Sequence, residues 1–292
     1  MKRKDGFPGQ ISFVLPMGVI DSLKMNNLTK ALYITDIGYF PHAKFHFRKR
    51  DEGCEQHILI YNISGEGYIF IDKKKHILEP NHFFVIPANT PHVYNTNAEN
   101  PWSIYWIHFE GETSKYFSRF FGKVNEISPS PVARIEERIS FFTEIFTTLN
   151  YGYSRPNLEY INMLLWHLLA SFMYIDQYRL IRKGHSNDSV SNSISFMRRN
   201  IDKNLKLIEL SDLVNLSVSH YSKIFSQKTG CSPIEYFIQL KIQKACQYLE
   251  FTDLPISEIC CDLLGYDDKF YFSRIFKKIM NMSPRDYRKK IS

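Results

Sequence analysis

The pattern of apolar and polar positions changes character along the chain. From residue 31 to about residue 110, short runs of β-branched and aromatic residues alternate with turn sequences such as Ser64–Gly67, which is typical of a β-sandwich or β-barrel. Strands are predicted at Ile58–Ile63, Tyr68–Ile71, Phe83–Pro87 and Ser103–Phe109. The first thirty residues lack a strong period, so we expect an arm or an irregular segment there.

A helical period follows the strand-like region. Apolar residues recur at three- and four-residue intervals in 131–149 and 157–181, and Pro131 and Pro156 stand at first-turn positions. The second helix is apolar on more than one face, which predicts burial against the β-module, a second copy of the chain, or both.

A polar segment, Arg182–Ser193, then predicts a linker, and short helices follow from Ile194 onward. We therefore expect an α+β multi-domain protein. Residues 1–181 would form a β-barrel with two helices after it, residues 182–193 a linker, and residues 194–292 an all-α domain.

The excess of positive over negative charge lies entirely in the C-terminal part. The 37 Lys and Arg residues exceed the 30 Asp and Glu residues by seven. Residues 1–178 contain 18 of each kind, whereas residues 179–292 contain 19 basic and 12 acidic residues. This asymmetry favours a neutral module joined to one that meets a polyanion.

The cysteines indicate a reducing compartment. Their number is odd and they form no C-x-x-C pair, which argues against a disulfide framework or a structural zinc site. They are Cys54, Cys231, Cys246, Cys260 and Cys261. The most apolar stretch, Met163–Ile175, contains His167 and is too short to span a bilayer. We expect a cytoplasmic protein without a signal peptide or a membrane partner.

The basic part contains an internal repeat. Residues 221–236 (YSKIFSQKTGCSPIEY) align with residues 272–287 (FSRIFKKIMNMSPRDY) at a constant offset of 51. Each copy is preceded by an apolar helix start, a turn and an N-cap candidate, which predicts two helix-turn-helix units. The N-cap candidates are Ser217 for the first copy and Asp267 or Asp268 for the second.

Apolar positions in each copy predict how the two units are built. Ile224, Phe225, Ile275 and Phe276 are expected to anchor the second helix of their unit in its core. The pattern of residues 233–250 predicts one long helix that joins the two units.

At the repeat the sequence resembles the AraC/XylS family of bacterial transcription regulators, above all in Gly265–Arg288, GYDDKFYFSRIFKKIMNMSPRDYR. The chain departs from the family at one point. The family places its turn glycine five residues after the isoleucine of the first helix, whereas Ile259 and Gly265 are six apart. The angle between the helices of the second unit is therefore left open.

The resemblance implies that the second helix of each unit enters the major groove of double-stranded DNA, with the two helices about 34 Å apart. The base-facing positions fall on Ser219, Ser222 and Lys223 in the first unit and on Lys269, Phe270 and Arg274 in the second. Contacts to the DNA backbone fall on Tyr271, Ser273, Lys277, Lys278 and Arg288. Lysine and arginine can donate to guanine, and Phe270 can contact a thymine methyl group.

The first half resembles the cupin-like sensor domain of the same family, through Gly65–Tyr68, His92–Tyr94 and Pro101–Gly111. By matching, the effector pocket is lined by Arg50, Tyr94, Ile104 and Trp106, with His92 and His108 nearby. Trp106 offers a flat apolar face to the C–H groups of a sugar, and Arg50 several donors to its hydroxyl oxygens. Alternatively, Trp102, Tyr105 and Trp106 only fill the barrel, because alternation places Trp102, Ile104 and Trp106 on one face.

The resemblance implies a ligand-responsive, sequence-specific activator of carbohydrate-utilisation genes. It would form a homodimer through the helices of 131–181 and have RNA polymerase as a partner. Catalysis, a cofactor and a bound metal are not expected.

Two alternatives remain. One is a metal-dependent cupin enzyme with a DNA-binding tail, which would use His57, Glu55 and His92 although the H-x-H spacing of such enzymes is missing. The other is a DNA-binding dimer that needs no effector.

Overall fold

The chain divides into two compact units. A computed structural model describes residues 2–130, 132–180 and 188–291 and separates Met1–Gly184 from His185–Ser292. The strands lie in the first unit and the second is helical, so the α+β class predicted from the sequence is confirmed. Within these ranges no helix combines the length and the apolarity needed to cross a membrane. Residues 182–187 of the predicted linker lie outside the described residues.

Ten strands form two antiparallel sheets in the described part of the first unit. The larger sheet has the strand order β1-β2-β9-β4-β7-β10, and the smaller one β3-β8-β5-β6. The strands are β1 Ile11–Val14, β2 Tyr33–Phe40, β3 Phe47–Arg50, β4 His57–Ser64, β5 Gly67–Ile71, β6 Lys74–Leu78, β7 His82–Ile86, β8 His92–Thr96, β9 Ser103–Glu110 and β10 Val124–Glu126. The four strands predicted from the sequence correspond to β4, β5, β7 and β9 and are confirmed.

The larger sheet is apolar on both faces because each face covers a different core. Trp102, Ile104 and Trp106, in and just before β9, belong to the core between the two sheets. Tyr105 and Ile107 point the other way, into the core between the sheet and the helices that follow it. The alternation predicted for this segment is confirmed, and it directs one set of side chains toward the barrel interior.

The first thirty residues are more regular than the sequence predicts. β1 pairs with β2, and a helix, α1 (Met17–Met25), follows with Ile20 and Leu23 buried. Ahead of them Phe7 is buried in the core between the sheets. The expectation of an irregular segment is therefore wrong for residues 11–25. A four-residue edge strand and a nine-residue helix contain too few apolar positions to display a period.

Two long helices cover the outer face of the larger sheet. They are α2 (Ile135–Asn150) and α3 (Arg155–Met173), and a short helix, α4 (Ile175–Leu180), follows. Both predicted helices are confirmed, although the second breaks at Tyr174, which leaves the helical conformation. Pro156 lies in the first turn of α3, as predicted, two residues after the N-cap Ser154. Pro131 lies outside the described residues.

Seven helices make up the described part of the second unit. They are α5 Ser189–Arg199, α6 Leu207–Asp212, α7 Val218–Thr229, α8 Pro233–Phe251, α9 Ile256–Glu258, α10 Lys269–Met280 and α11 Pro284–Ile291. Helices α6 and α7 form the first helix-turn-helix unit, α9 and α10 form the second, and α8 is the predicted long helix between them. Phe225 and Phe276 are fully buried in two separate cores, with Ile224 and Ile275 half-buried beside them.

Helix α5 begins five residues before the position predicted from the sequence. The carboxylate of Asp188 accepts hydrogen bonds from the amides of Val190 and Ser191 and so caps the helix. Residues 189–193, which the sequence analysis assigns to the linker, therefore form its first turn. The polar composition of this segment hides Ser193, which is buried and bonded to the hydroxyl of Tyr221.

The extra residue before Gly265 is accommodated inside a helix. Ile259–Leu263 form a single π turn, which holds one residue more than an α turn. Gly265 then adopts a φ of +60°, and a Cβ on it would lie 1.7 Å from the carbonyl oxygen of Asp202. The buried Lys241 of α8 donates to the Leu264 carbonyl at 2.6 Å, and burial lowers the pKa of this lysine to about 8.

Candidate effector pocket and DNA-binding surface

A cavity of about 200 Å³ opens between the sheets of the first unit. Five of the six residues predicted to form the effector site line it: Arg50, Tyr94, Ile104, Trp106 and His108. The sixth, His92, does not line the cavity but contacts Arg50, which does. An apolar protein cavity of roughly 150 Å³ holds a benzene molecule, so this space takes one six-membered ring.

Arg50 is held in place by two neighbours on β8. Its Nη1 lies 3.2 Å from Nε2 of His92 and donates to the hydroxyl of Tyr94 at 3.3 Å. His92 Nδ1 lies 2.7 Å from the carbonyl of Thr90, and burial lowers the pKa of His92. A neutral imidazole that donates through Nδ1 accepts from Arg50 through Nε2. His92 thus orients the guanidinium, whose remaining donors are available to a ligand.

Trp106 provides an apolar face and an unused donor. Its ring lies 5.3 Å from that of Phe40, measured between centroids. Among the described residues, its buried Nε1 has no hydrogen-bond partner. Gly38 faces Trp106 across the β2–β9 pair, and a Cβ at position 38 would lie 2.5 Å from the indole. The glycine therefore makes room for the ring.

Asp36 and His108 form a pair at one side of the cavity. His108 Nδ1 lies 3.3 Å from the carboxylate of Asp36. Burial disfavours the charged forms of both. For Asp36 burial is the largest single effect and raises the pKa, but the hydrogen bond and charge of His108, the hydroxyl of Thr35 and the charge of Arg50 together lower it further than burial raises it. For His108 burial prevails and lowers the pKa. The pair is thus a carboxylate accepting from a neutral imidazole, and it adds an anionic acceptor to the cavity.

Several lining residues were not predicted from the sequence. They are Lys4, Asp5, Ser12, Val14, Asp36, Phe40, His46, Arg48, Ile58 and Ile60. The alternation of β4 could have identified the two isoleucines, whereas no pattern shows that the first fourteen residues reach the cavity. His46 is almost fully buried, which lowers its pKa to about 3, and it accepts a hydrogen bond from the Trp102 indole at 3.2 Å. Trp102 thus fills the interior, as the alternative interpretation predicts, whereas Trp106 lines the cavity. That interpretation is wrong for Tyr105, which packs against the helices on the other face of the sheet.

The three residues considered for a metal site have other surroundings. His57 Nδ1 accepts from the amide of Ala88 at 2.9 Å, Glu55 is exposed, and His92 contacts the guanidinium of Arg50. In the described ranges, no three His, Cys, Asp or Glu side chains are placed to hold a metal ion.

In the first helix-turn-helix unit, the predicted DNA contacts lie on the outer side of α7. Ser219 and Lys223 are exposed and Ser222 is half-buried, whereas Tyr221 and Phe225 are fully buried. Ser217 caps the helix, as predicted, by accepting from the amide of His220 at 3.4 Å. One face of α7 therefore anchors the helix while the other presents polar groups to solvent.

Helix α10 repeats this division with more charge and one exposed aromatic ring. The predicted contacts Lys269, Phe270, Tyr271, Arg274, Lys277 and Lys278 are exposed, and Ser273 is half-buried. Phe270 is 70% exposed although Phe272 and Phe276 are fully buried. Of the two N-cap candidates, Asp268 takes the role and accepts from the Phe270 amide at 2.7 Å. Asp267 instead accepts from the side-chain amide of Asn204.

Arg288, predicted to contact phosphate, is half-buried in the second unit. Its Nη2 donates to the carbonyl of Thr252 at 3.4 Å. This contact ties α11 to the end of α8.

Two family models match this chain, one in each unit. A model of the AraC-like ligand binding domain matches residues 37–169, which include the cavity, and a model of a helix-turn-helix domain matches residues 210–290. The MmsAB operon regulatory protein of Pseudomonas aeruginosa is 25% identical over 281 residues, which is 95% of this chain and 89% of that protein.

Two further relatives are regulators of named operons. The lactose operon transcription activator of Staphylococcus xylosus is 25% identical over 77% of this chain and 80% of its own length. The arabinose operon regulatory protein of Escherichia coli is 24% identical over 83% of each chain. With both models matched in order, and with regulators similar over most of its length, the chain belongs to the AraC family of ligand-responsive, DNA-binding transcription regulators.

Proposed function

We propose that this regulator activates carbohydrate-utilisation genes when a sugar binds the cavity of the first unit. The observation that carries this proposal is that Arg50 and Trp106 line the same cavity, which is large enough for one six-membered ring. One residue offers hydrogen-bond donors and the other an apolar ring face. The indole face suits the C–H groups of a pyranose, and the guanidinium suits its hydroxyl oxygens. The Asp36 carboxylate supplies an acceptor for a hydroxyl donor.

The relatives support the same class of effector. Two of the three reported proteins are named for the lactose and arabinose operons, and one of them is named an activator. We extend this to our chain as a proposal, together with RNA polymerase as the partner of activation and the cytoplasm as the place of action.

The N-terminal arm, residues 2–10 with the start of β1, gives the ligand a way to shift the protein between two conformations. Lys4, Asp5 and Ser12 line the cavity, and Arg3 exchanges backbone hydrogen bonds with Phe45 and Phe47 at 2.9 and 2.8 Å. A sugar that contacts both the arm and the barrel binds the closed arrangement better than the open one. It therefore shifts the population toward closure, and only by that difference in affinity.

DNA binding is assigned to the exposed faces of α7 and α10. Ser219, Ser222, Lys223, Lys269, Phe270 and Arg274 would face the bases, and Tyr271, Ser273 and Lys277 the backbone. Helix α3 leaves Tyr160, Met163 and Trp166 between 40% and 54% exposed, and this apolar strip is our proposed homodimer contact.

The experiment is a thermal unfolding screen of the full-length protein against single sugars, followed by footprinting of the region upstream of its own gene. A sugar at about 100 times its Kd should stabilise the first unit by roughly 2.7 kcal/mol. Arg50→Met should abolish this shift. Lys49→Met is the matched control, because the adjacent Lys49 is exposed and paired with Asp51.

The outcomes are separable. A sugar-dependent shift that Arg50→Met removes and Lys49→Met preserves supports the proposal. If no sugar alters either unfolding or the footprint, the effector-independent dimer is the better description.

A further inference from the structure

A pair of thiols lies inside the π turn of the second helix-turn-helix unit. Cys260 and Cys261 are its second and third residues, and their sulfurs are 3.2 Å apart. Successive side chains on an α-helix diverge by about 100°, so this approach belongs to the irregular turn. π turns inserted in helices occur frequently at functional sites, so this turn is a candidate for one.

The two thiols differ in access to solvent. Cys261 is exposed, whereas Cys260 is fully buried and contacts the carbonyl of Ser257 at 3.3 Å. Burial, and then the neighbouring Cys261, raise the pKa of Cys260 to about 12, so this group stays a protonated thiol at neutral pH. An incoming electrophile therefore meets Cys261 first and reaches Cys260 only when already bound.

The separation of the sulfurs selects the kind of ligand. Bonds from sulfur to a soft centre are about 2.3 Å long, so sulfurs at this separation subtend roughly 90° at a shared atom. That angle is narrower than the tetrahedral angle of zinc and suits a three-coordinate, pyramidal centre such as trivalent arsenic. The absence of a third metal-ligating side chain in the described ranges also suits a ligand that needs only two.

An internal disulfide is less favoured by the backbone. Neighbouring Cα atoms are about 3.8 Å apart. Disulfide-linked residues ordinarily have Cα atoms at least about 4.4 Å apart.

We propose that Cys260 and Cys261 form a dithiol site that captures an organic trivalent arsenical and that this capture weakens DNA binding by the second unit. Hydrated phenylarsine oxide carries one phenyl and two hydroxyl groups on arsenic. Two As–S bonds form and two As–O bonds break, and each thiol proton leaves with a hydroxyl group as water. Arsenic remains trivalent, and no group is oxidised or reduced.

The position of the pair connects capture to DNA binding. The Cys260 carbonyl accepts from the amide of Tyr266 at 2.9 Å, three residues before α10 begins. Closing a ring through arsenic removes the thiol proton that Cys260 donates to the Ser257 carbonyl and brings a phenyl group to the turn. The bulk of the phenyl group, rather than a change in the separation of the sulfurs, would then disturb the turn that positions the start of α10.

The test treats the 292-residue chain with phenylarsine oxide in excess 2-mercaptoethanol, so that only a two-thiol chelate survives. After the small thiol is removed, titratable thiols should fall from five to three and the intact mass should rise by one phenylarsenic group. Affinity for the footprinted duplex should fall at least roughly tenfold, as when one base contact is lost. A dithiol such as 2,3-dimercaptopropanol should restore both values.

Two variants make the result decisive. Cys261→Ser, at an exposed position, should weaken arsenical binding roughly 100-fold, because the second bond is no longer intramolecular. Cys246→Ser, which changes a half-buried cysteine of α8, should behave as the wild type. The proposal is overturned if five thiols remain, if Cys261→Ser keeps the adduct, or if the adduct leaves DNA affinity unchanged.

Discussion

The two helix-turn-helix units are alike in their recognition helices and unlike in what leads to them. Helices α7 and α10 each have twelve residues, and the 51-residue offset superimposes Phe225 on Phe276 and Lys223 on Arg274. Before α7 stands a regular six-residue helix, whereas before α10 stand a three-residue helix and a π turn. The two recognition helices therefore share their length and their buried phenylalanine, whereas the segments that precede them differ in length and in helix type.

The exposed surfaces of the two helices also differ. The first unit offers serines and one exposed lysine, and its Lys228 is paired with Asp188 at 2.6 Å. The second unit offers Lys269, Arg274, Lys277 and Lys278, all exposed. We infer that the second unit contributes more of the electrostatic attraction to DNA phosphates, whereas the first contributes mainly hydrogen bonds from uncharged side chains to DNA.

The largest expected effect tests whether the two cores are independent. Phe225→Ala and Phe276→Ala each remove a fully buried ring and should cost about 3–5 kcal/mol of unfolding free energy. Hydrogen exchange should then show lost protection mainly in the unit that carries the substitution. Equal loss in both units would mean that α8 makes them a single cooperative core.

A smaller effect concerns base contacts. Arg274→Ala should cost about 1–3 kcal/mol of binding to the footprinted duplex, because it removes a potential bidentate contact to guanine. Lys223→Ala should cost less, since an ammonium group is a single point of contact. Anisotropy titrations of both variants would measure the difference. A larger loss at Lys223 would reverse our assignment.

The caps should differ by a smaller amount. Asp268→Ala should destabilise the second unit by about 1 kcal/mol, because its carboxylate accepts from an amide at 2.7 Å. Ser217→Ala should cost less, because the corresponding bond is 3.4 Å long. Thermal unfolding of the two variants tests this order. Ser219→Ala, two residues after Ser217, is a control that leaves the cap intact.

The smallest effect appears in the salt dependence. Lys277→Ala should lower the slope of log affinity against log salt concentration by about 0.9, as expected when one phosphate contact is removed. Lys228→Ala should leave the slope nearly unchanged because Lys228 is paired within the protein. Identical slopes for both variants would contradict the inferred division of charge.

Sequence patterns predicted those features that repeat or alternate. The offset of 51 residues identified both recognition helices and their anchoring residues, and alternation along β9 separated Trp106 from Tyr105. By contrast, Asp188 caps α5 within a segment whose composition resembles a linker. Capping depends on a single side chain, and the average composition of a segment does not show which side chain caps a helix.

Features that depend on contacts distant in sequence could not be predicted. The π turn absorbs the extra residue because Gly265 can approach the backbone of Asp202, some sixty residues earlier in the chain. The arm residues Lys4 and Asp5 reach the cavity through pairing near residue 45. Neither contact produces a periodic pattern in the sequence around the residues that make it.

Gly38 determines how much room there is for the Trp106 ring at the wall of the cavity. The residue that sets the width of the site beside Trp106 is not itself among those that line the cavity, because it lies on the neighbouring strand, under the ring. A methyl group at position 38 would lie 2.5 Å from the indole and 2.7 Å from the backbone carbonyl oxygen of Ile11, so both the ring and β1 would have to shift. The space beside Trp106 is therefore set by a residue without a side chain, whereas the polar groups of Arg50 and Asp36 that line the cavity lie elsewhere on its wall.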